Sequence, residues 1–132
     1  MITGLAHLAF SVSDMEKSKD FYVNGLGFAH SFSLADGDGS PWIEYFKVAD
    51  GQFIELFYAK AGVELKNGGY QHLCLLVDDC VATAKELEAR GVALTSRPTQ
   101  GKDGNTQAWV VDPDGNRIEL MQIDPSSPQA KA

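Results

Sequence analysis

The sequence predicts an α+β fold built from two βαβββ modules, written one after the other in a single chain, and two internal repeats carry the prediction. DGQFIEL at residues 50–56 returns 64 positions later as DGNRIEL at 114–120, with Asp, Gly, Ile, Glu and Leu in register. GLAHLAFSVSD at 4–14 returns 65 positions later as GYQHLCLLVDD at 69–79, where Gly, His, Leu, Val and Asp recur. A fixed internal period means that one supersecondary unit is used twice. Each unit opens on a histidine-bearing strand and closes on a glutamate-bearing one.

The elements follow in order. In the first module residues 4–12 read as a strand, and Asp14 supplies an N-cap for a helix through about Asn24, stopped by Gly25. Short strands follow at roughly 27–34, 41–48 and 51–58, with Ala49-Asp50-Gly51 as the last hairpin connection. In the second module residues 69–77 form the strand. Asp79 caps a helix whose Val81, Ala84 and Leu87 share a face, and Gly91 ends it. Strands at 92–97, 106–111 and 116–123 complete the unit, the last two joined by Asp112-Pro113-Asp114-Gly115. Module 1 therefore spans about 1–61, a linker 62–68 and module 2 about 69–124, with a loose tail over 125–132. Each four-stranded sheet has to bury a face against the other module or a second chain.

Composition narrows the function classes. A chain of 132 residues fits one compact domain, here shared by the two modules. With 44% apolar and 22% charged residues and no apolar run of membrane-spanning length, a soluble protein is expected. MITGLAHLAF has no basic region ahead of its apolar residues, so no signal peptide and a cytoplasmic location are expected. A net charge of −7 argues against nucleic-acid and membrane partners, whose recognition needs concentrated positive charge. Cys74 and Cys80, five residues between them, fit neither a zinc knuckle nor a redox pair, and reduced, mostly structural thiols are expected.

Residues two apart on a strand share a face. Glu55 then lies between Phe53 and Phe57, and Glu119 between Arg117 and Met121, while His7 shares its face with Ala9 and His72 with Cys74. A carboxylate between two Phe rings carries a large desolvation cost unless something pairs with it. If a pseudo-twofold axis relates the modules, His7, Glu55, His72 and Glu119 converge as two imidazoles and two carboxylates. That set neutralises a divalent ion and leaves open positions for water or substrate. A single strand histidine is more often a hydrogen-bonded core residue than a ligand. The repeat-equivalent placement of both His and both Glu favours the metal. His30 has no repeat partner and reads as an ordinary strand or surface residue.

These motifs resemble the vicinal oxygen chelate superfamily, and within it glyoxalase I, the lactoylglutathione lyase group. The likeness runs through S-x-x-F-Y-x-x-x-L-G-F from Ser18 to Phe28, the two His strands, and DPDGNRIEL. It implies paired βαβββ modules curled into a half-open barrel around a divalent metal that chelates neighbouring substrate oxygens. By position the metal ligands would be His7, Glu55, His72 and Glu119, one ion per site. The short His/Glu/His/Glu pattern favours nickel or cobalt, with zinc, manganese or iron also acceptable. By the same likeness the ion would stabilise an enediolate while Glu119 carries the proton as base and then acid, and Glu55 stays a ligand or serves the mirror-image proton. Phe57, Trp109 and Met121 would wall the site, and Arg97 and Lys102 would meet an anionic substrate. A homodimer is expected, with each site within one chain or shared across the dimer.

The pattern departs from glutathione recognition at two positions. Ser11 stands where the family usually grips a glutathione carboxylate with Arg, and Ala59 where an Asn contacts the peptide. The leading expectation is a metal-dependent lyase or isomerase acting on a small molecule with vicinal oxygens, including a glutathione hemithioacetal. An epimerase like that for methylmalonyl-CoA would usually carry Gln at Glu55, and in an extradiol dioxygenase Glu55 would block one of the open metal positions. From another class, a drug-sequestering resistance protein would typically lack the metal set.

Overall fold

The computed structural model describes residues 6–60, 64–65 and 70–132. Gly4 and Gly69 of the repeat and most of the expected linker lie outside them. The chain divides into two compact units, Met1–Asn67 and Gly68–Ala132.

In the first unit, β1 (His7–Val12) leads through a helix to β2 (Ala29–Ala35), β3 (Pro41–Ala49) and β4 (Gln52–Tyr58). The sheet order is β1-β4-β3-β2, with β1 parallel to β4 and the other pairs antiparallel. The helix starts as expected: Asp14 is extended, and its carboxylate accepts a hydrogen bond from the Lys17 amide at 3.1 Å. Only Met15–Lys19 (α1) is α-helical, and Asp20–Gly25 widens to a π-helix, marked by the Leu26 amide bonding the Phe21 carbonyl five residues back. Tyr22 is wholly buried, among the rings of Phe10, Phe21, Phe28 and Phe46. With Val12, Met15, Ile54 and Leu56 this aromatic cluster is the core of the unit.

The second unit repeats the topology. It comprises β5 (Leu73–Leu76), α2 (Cys80–Ala89), β6 (Leu94–Gln100), β7 (Thr106–Val111) and β8 (Arg117–Gln122), in the order β5-β8-β7-β6 with β5 parallel to β8. Asp79 caps α2, accepting from the Ala82 amide at 2.8 Å. Its buried stripe is Cys80, Ala84 and Leu87, whereas Val81 is 47% exposed. This corrects the expected stripe of Val81, Ala84 and Leu87. Positions 80, 84 and 87 share a helical face, and a small thiol fits under the sheet where a β-branched side chain one position on points away.

The repeated Asp-Gly turns explain the repeated sequence. Gly51 and Gly115 both have positive φ (72° and 82°), a left-handed conformation that glycine adopts without strain. Each fixes the start of the last strand, so that a Glu arrives four residues later on the same face in both units. In the second turn the Asp112 carboxylate also accepts from the Asp114 and Asn116 amides. Beyond Asp124, where the sequence predicts a loose tail, Pro128–Lys131 form a helical turn (α3) capped by buried Ser127. Asn105, itself fully buried, holds this segment through the Asp124 amide at 2.9 Å and Gln129 at 3.2 Å.

Leu56 is fully buried, so Leu56→Ala is expected to cost about 2–5 kcal/mol in urea unfolding, while Val81→Ala on the exposed side of α2 changes stability by about 0.5 kcal/mol or less.

Candidate functional site

Strand pairing sets the positions of the four sequence-selected residues within their units. Parallel pairing aligns Ala9 with Glu55 and Cys74 with Glu119. The histidine two residues before each of these partners leans over the same face; His7 opens β1, whereas His72 stands just before β5, which is shorter than the strand expected over 69–77. His7 Nε2 lies 3.3 Å from Glu55 Oε2, and His72 Nε2 lies 3.1 Å from Glu119 Oε2. Both glutamates are buried, at 7% and 5% exposure, while the imidazoles are more than one-third open. A buried carboxylate beside an accessible imidazole recurs in both units.

The donor chemistry suits a divalent ion. A neutral imidazole and a carboxylate, the two side chains of each pair, are ligand types that such an ion accepts. Within each unit the pair supplies two donors, and no group of three or more His, Cys, Asp or Glu is gathered for a metal among the described residues.

The surroundings of the two pairs differ. Antiparallel pairing sets Tyr45 opposite Glu55, and its phenol donates to Glu55 Oε1 at 2.5 Å, a bond that raises the phenol pKa. Tyr45 is stacked on Phe32 at 4.3 Å and edge-on to His7 and Phe53. The position opposite Glu119 is Trp109. Its indole N–H donates instead to Gln107, its ring packs edge-on to His72 at 5.0 Å, and Arg117 lies over it at 4.2 Å. Cys74, expected to be structural, is an exposed free thiol opposite Glu119. Partial burial pushes its pKa up, and the charge of Glu119 adds to this, to about 11. Cys80 is the buried, structural thiol.

The remaining selected residues fall in two groups. Phe57 shares the face of Glu55, paired across to Ser11, and Met121 shares that of Glu119. Arg97 is engaged away from these pairs, bonded to Glu88 of α2 at 2.9 Å. Lys102 is exposed in the turn between β6 and β7.

A second polar cluster lies on the opposite face of the first sheet. Glu44, 4% exposed, accepts from Lys19 at 2.8 Å, Ser33 at 2.5 Å and Tyr58 at 2.9 Å, and His30 Nε2 is 2.6 Å from it. His30 is thus a partner of a buried acid, not a plain surface residue. The signal was a single acid within the apolar run Trp42-Ile43-Glu44-Tyr45-Phe46, which demanded a partner. Burial by itself pushes the Glu44 carboxyl up, but Lys19, Ser33, His30 and Tyr58 together outweigh it and hold the pKa down to about 2.

Two units of one βαβββ topology, each with an imidazole beside a buried carboxylate, define a duplicated α+β protein. The sequence from residue 4 to 120 matches the profile of the Glyoxalase/Bleomycin resistance protein/Dioxygenase superfamily, and the chain belongs to that family. It is 32% identical over 129 residues to a probable lactoylglutathione lyase of Vibrio cholerae, covering 89% of each chain. It is also 32% identical to the lactoylglutathione lyase of Salmonella typhimurium, covering 89% of this chain and 91% of that one. Among solved structures, TnmS3, an antibiotic binding protein from Streptomyces sp. CB03234, is 33% identical with a TM-score of 0.74, covering 93% of this chain and 98% of that one. Among the described residues no helix is long and apolar enough to cross a membrane.

The depressed Glu44 pKa makes acid stability a test of the second cluster. The folded value lies below the unfolded one of about 4.3, so the stabilisation is present above that pH and is lost as pH falls towards 2. Glu44→Gln is expected to remove about 3 kcal/mol at pH 7 and to flatten acid unfolding between about pH 4.5 and 2, read by circular dichroism.

Proposed function

We propose that this protein is a metal-dependent lyase or isomerase of the glyoxalase I type, acting on a small molecule with oxygens on neighbouring carbons. The observation that carries this reading is the twofold recurrence of a buried Glu with a His Nε2 at 3.1–3.3 Å at repeat-equivalent positions. The family and relatives named lactoylglutathione lyase support it. His7, Glu55, His72 and Glu119 would hold one divalent ion, nickel or cobalt in preference to zinc, manganese or iron. When bound, such an ion supplies Lewis-acid stabilisation of negative charge developing on two adjacent oxygens.

The chain's own groups supply the rest. Glu119 carries the proton between neighbouring carbons as base and then acid, and Glu55 serves as a ligand. The apolar side chains of Phe57 and Met121 flank the carboxylates and exclude water that would compete for a reactive intermediate. Trp109 borders Glu119 from the next strand. The physiological form is a cytoplasmic homodimer.

The substrate need not be a glutathione adduct. Ser11 offers no cation beside Phe57, and Arg97 is committed to Glu88. A second reading, sequestration of a drug without chemistry, is favoured by the likeness to an antibiotic binding protein. It is favoured also by the aromatic side chains around Glu55, where Phe32 and Trp42 are 44% and 41% exposed.

Turnover of the methylglyoxal–glutathione hemithioacetal by chelator-stripped protein, reloaded separately with nickel, cobalt, zinc, manganese and iron(II), separates these readings. Metal-dependent turnover that falls by about 10²–10⁴ in Glu119→Gln is expected. Tight metal uptake without turnover would remove that substrate and keep the site. A protein that takes up no metal yet binds an antibiotic would establish the sequestering role instead.

A further inference from the structure

We infer that Tyr45 is a positioning residue that locks Glu55, a support that the repeat-equivalent Trp109 does not give Glu119. The inference rests on the metal-dependent reading above. Tyr45 and Trp109 are equivalent, each directly opposite the glutamate of its unit in the antiparallel register. Only the phenol bonds its glutamate. It donates to Glu55 Oε1 at 2.5 Å, while the Trp109 indole turns to Gln107 at 3.1 Å.

The consequence for the two carboxylates is geometric. With Oε1 taken by a phenol, Glu55 has Oε2 for an ion, the oxygen that already faces His7. The phenol is itself held, stacked on Phe32 at 4.3 Å with Phe53 and His7 at its edges, so Glu55 cannot swing without breaking a bond to a fixed partner. Glu119 has instead the Cys74 thiol across the parallel pair, where the first unit has Ala9. A thiol is a weak donor and holds a carboxylate loosely. Outer partners that fix a ligand's orientation are typically worth about 10–100-fold in metal affinity.

The test is a cobalt(II) titration of the chelator-stripped full-length protein, read by calorimetry and by the visible absorption of the bound ion, which reports ligand number and geometry. Tyr45→Phe is expected to bind cobalt about 10-fold or more weakly and with an altered visible band. Tyr58→Phe, which removes the phenol serving Glu44, is expected to stay within about twofold of the parent with the same band. Should Tyr45→Phe fail to fold, Tyr45→His removes the phenol while leaving Glu55 intact and carries the same expectation. Parent-like affinity and band in the folded variant would overturn the role of Tyr45 while leaving the metal site standing. Cobalt uptake by the parent no better than by a His7→Ala/His72→Ala double variant would instead overturn the metal-dependent reading itself.

Discussion

The constraint on which the structure turns is the desolvation of a carboxylate in the last strand of each unit. Glu55 and Glu119 are buried between apolar residues, and an ionised carboxylate in that setting costs several kcal/mol unless something compensates it. The parallel pairing of first and last strands supplies a partner by bringing an imidazole to each. That pairing requires the first strand to be followed by a crossover, which is why a helix precedes three antiparallel strands in both units. The positive-φ glycine four residues before each Glu sets the register that makes the pair meet.

The two faces of the first sheet solve the same problem differently. On one, Glu55 is given an imidazole and a phenol and keeps an accessible edge through His7. On the other, Glu44 is surrounded by four polar side chains and held well below its ordinary pKa. A carboxylate with its lone pairs filled by protein donors is a structural anchor, here tying α1 through Lys19 to β2 through His30 and Ser33. One whose partners leave a side open is suited to a ligand. Burial is alike in the two, and the number and kind of donors separate them.

Duplication provides an internal control. Where the halves agree, in His, Glu, capping Asp and turn Gly, the shared feature serves the fold or the His–Glu pair common to both. They differ at Tyr45 against Trp109 and Ala9 against Cys74. There the two carboxylates acquire different surroundings.

The sequence by itself determined the repeat, the order of strands and helices, both helix caps and the four His and Glu positions. These depend on local signals: period-two alternation, an Asp before a helix, a glycine in a turn. It was silent on the π-helical turn, placed Val81 instead of Cys80 under the sheet, and gave no sign that Asn105 would hold the chain end in place. Tertiary structure alone decided that Tyr45 reaches Glu55 while Trp109 turns away, and that His30 serves Glu44. Those contacts join strands through side-chain direction and register, and such geometry exists only once the sheets have formed.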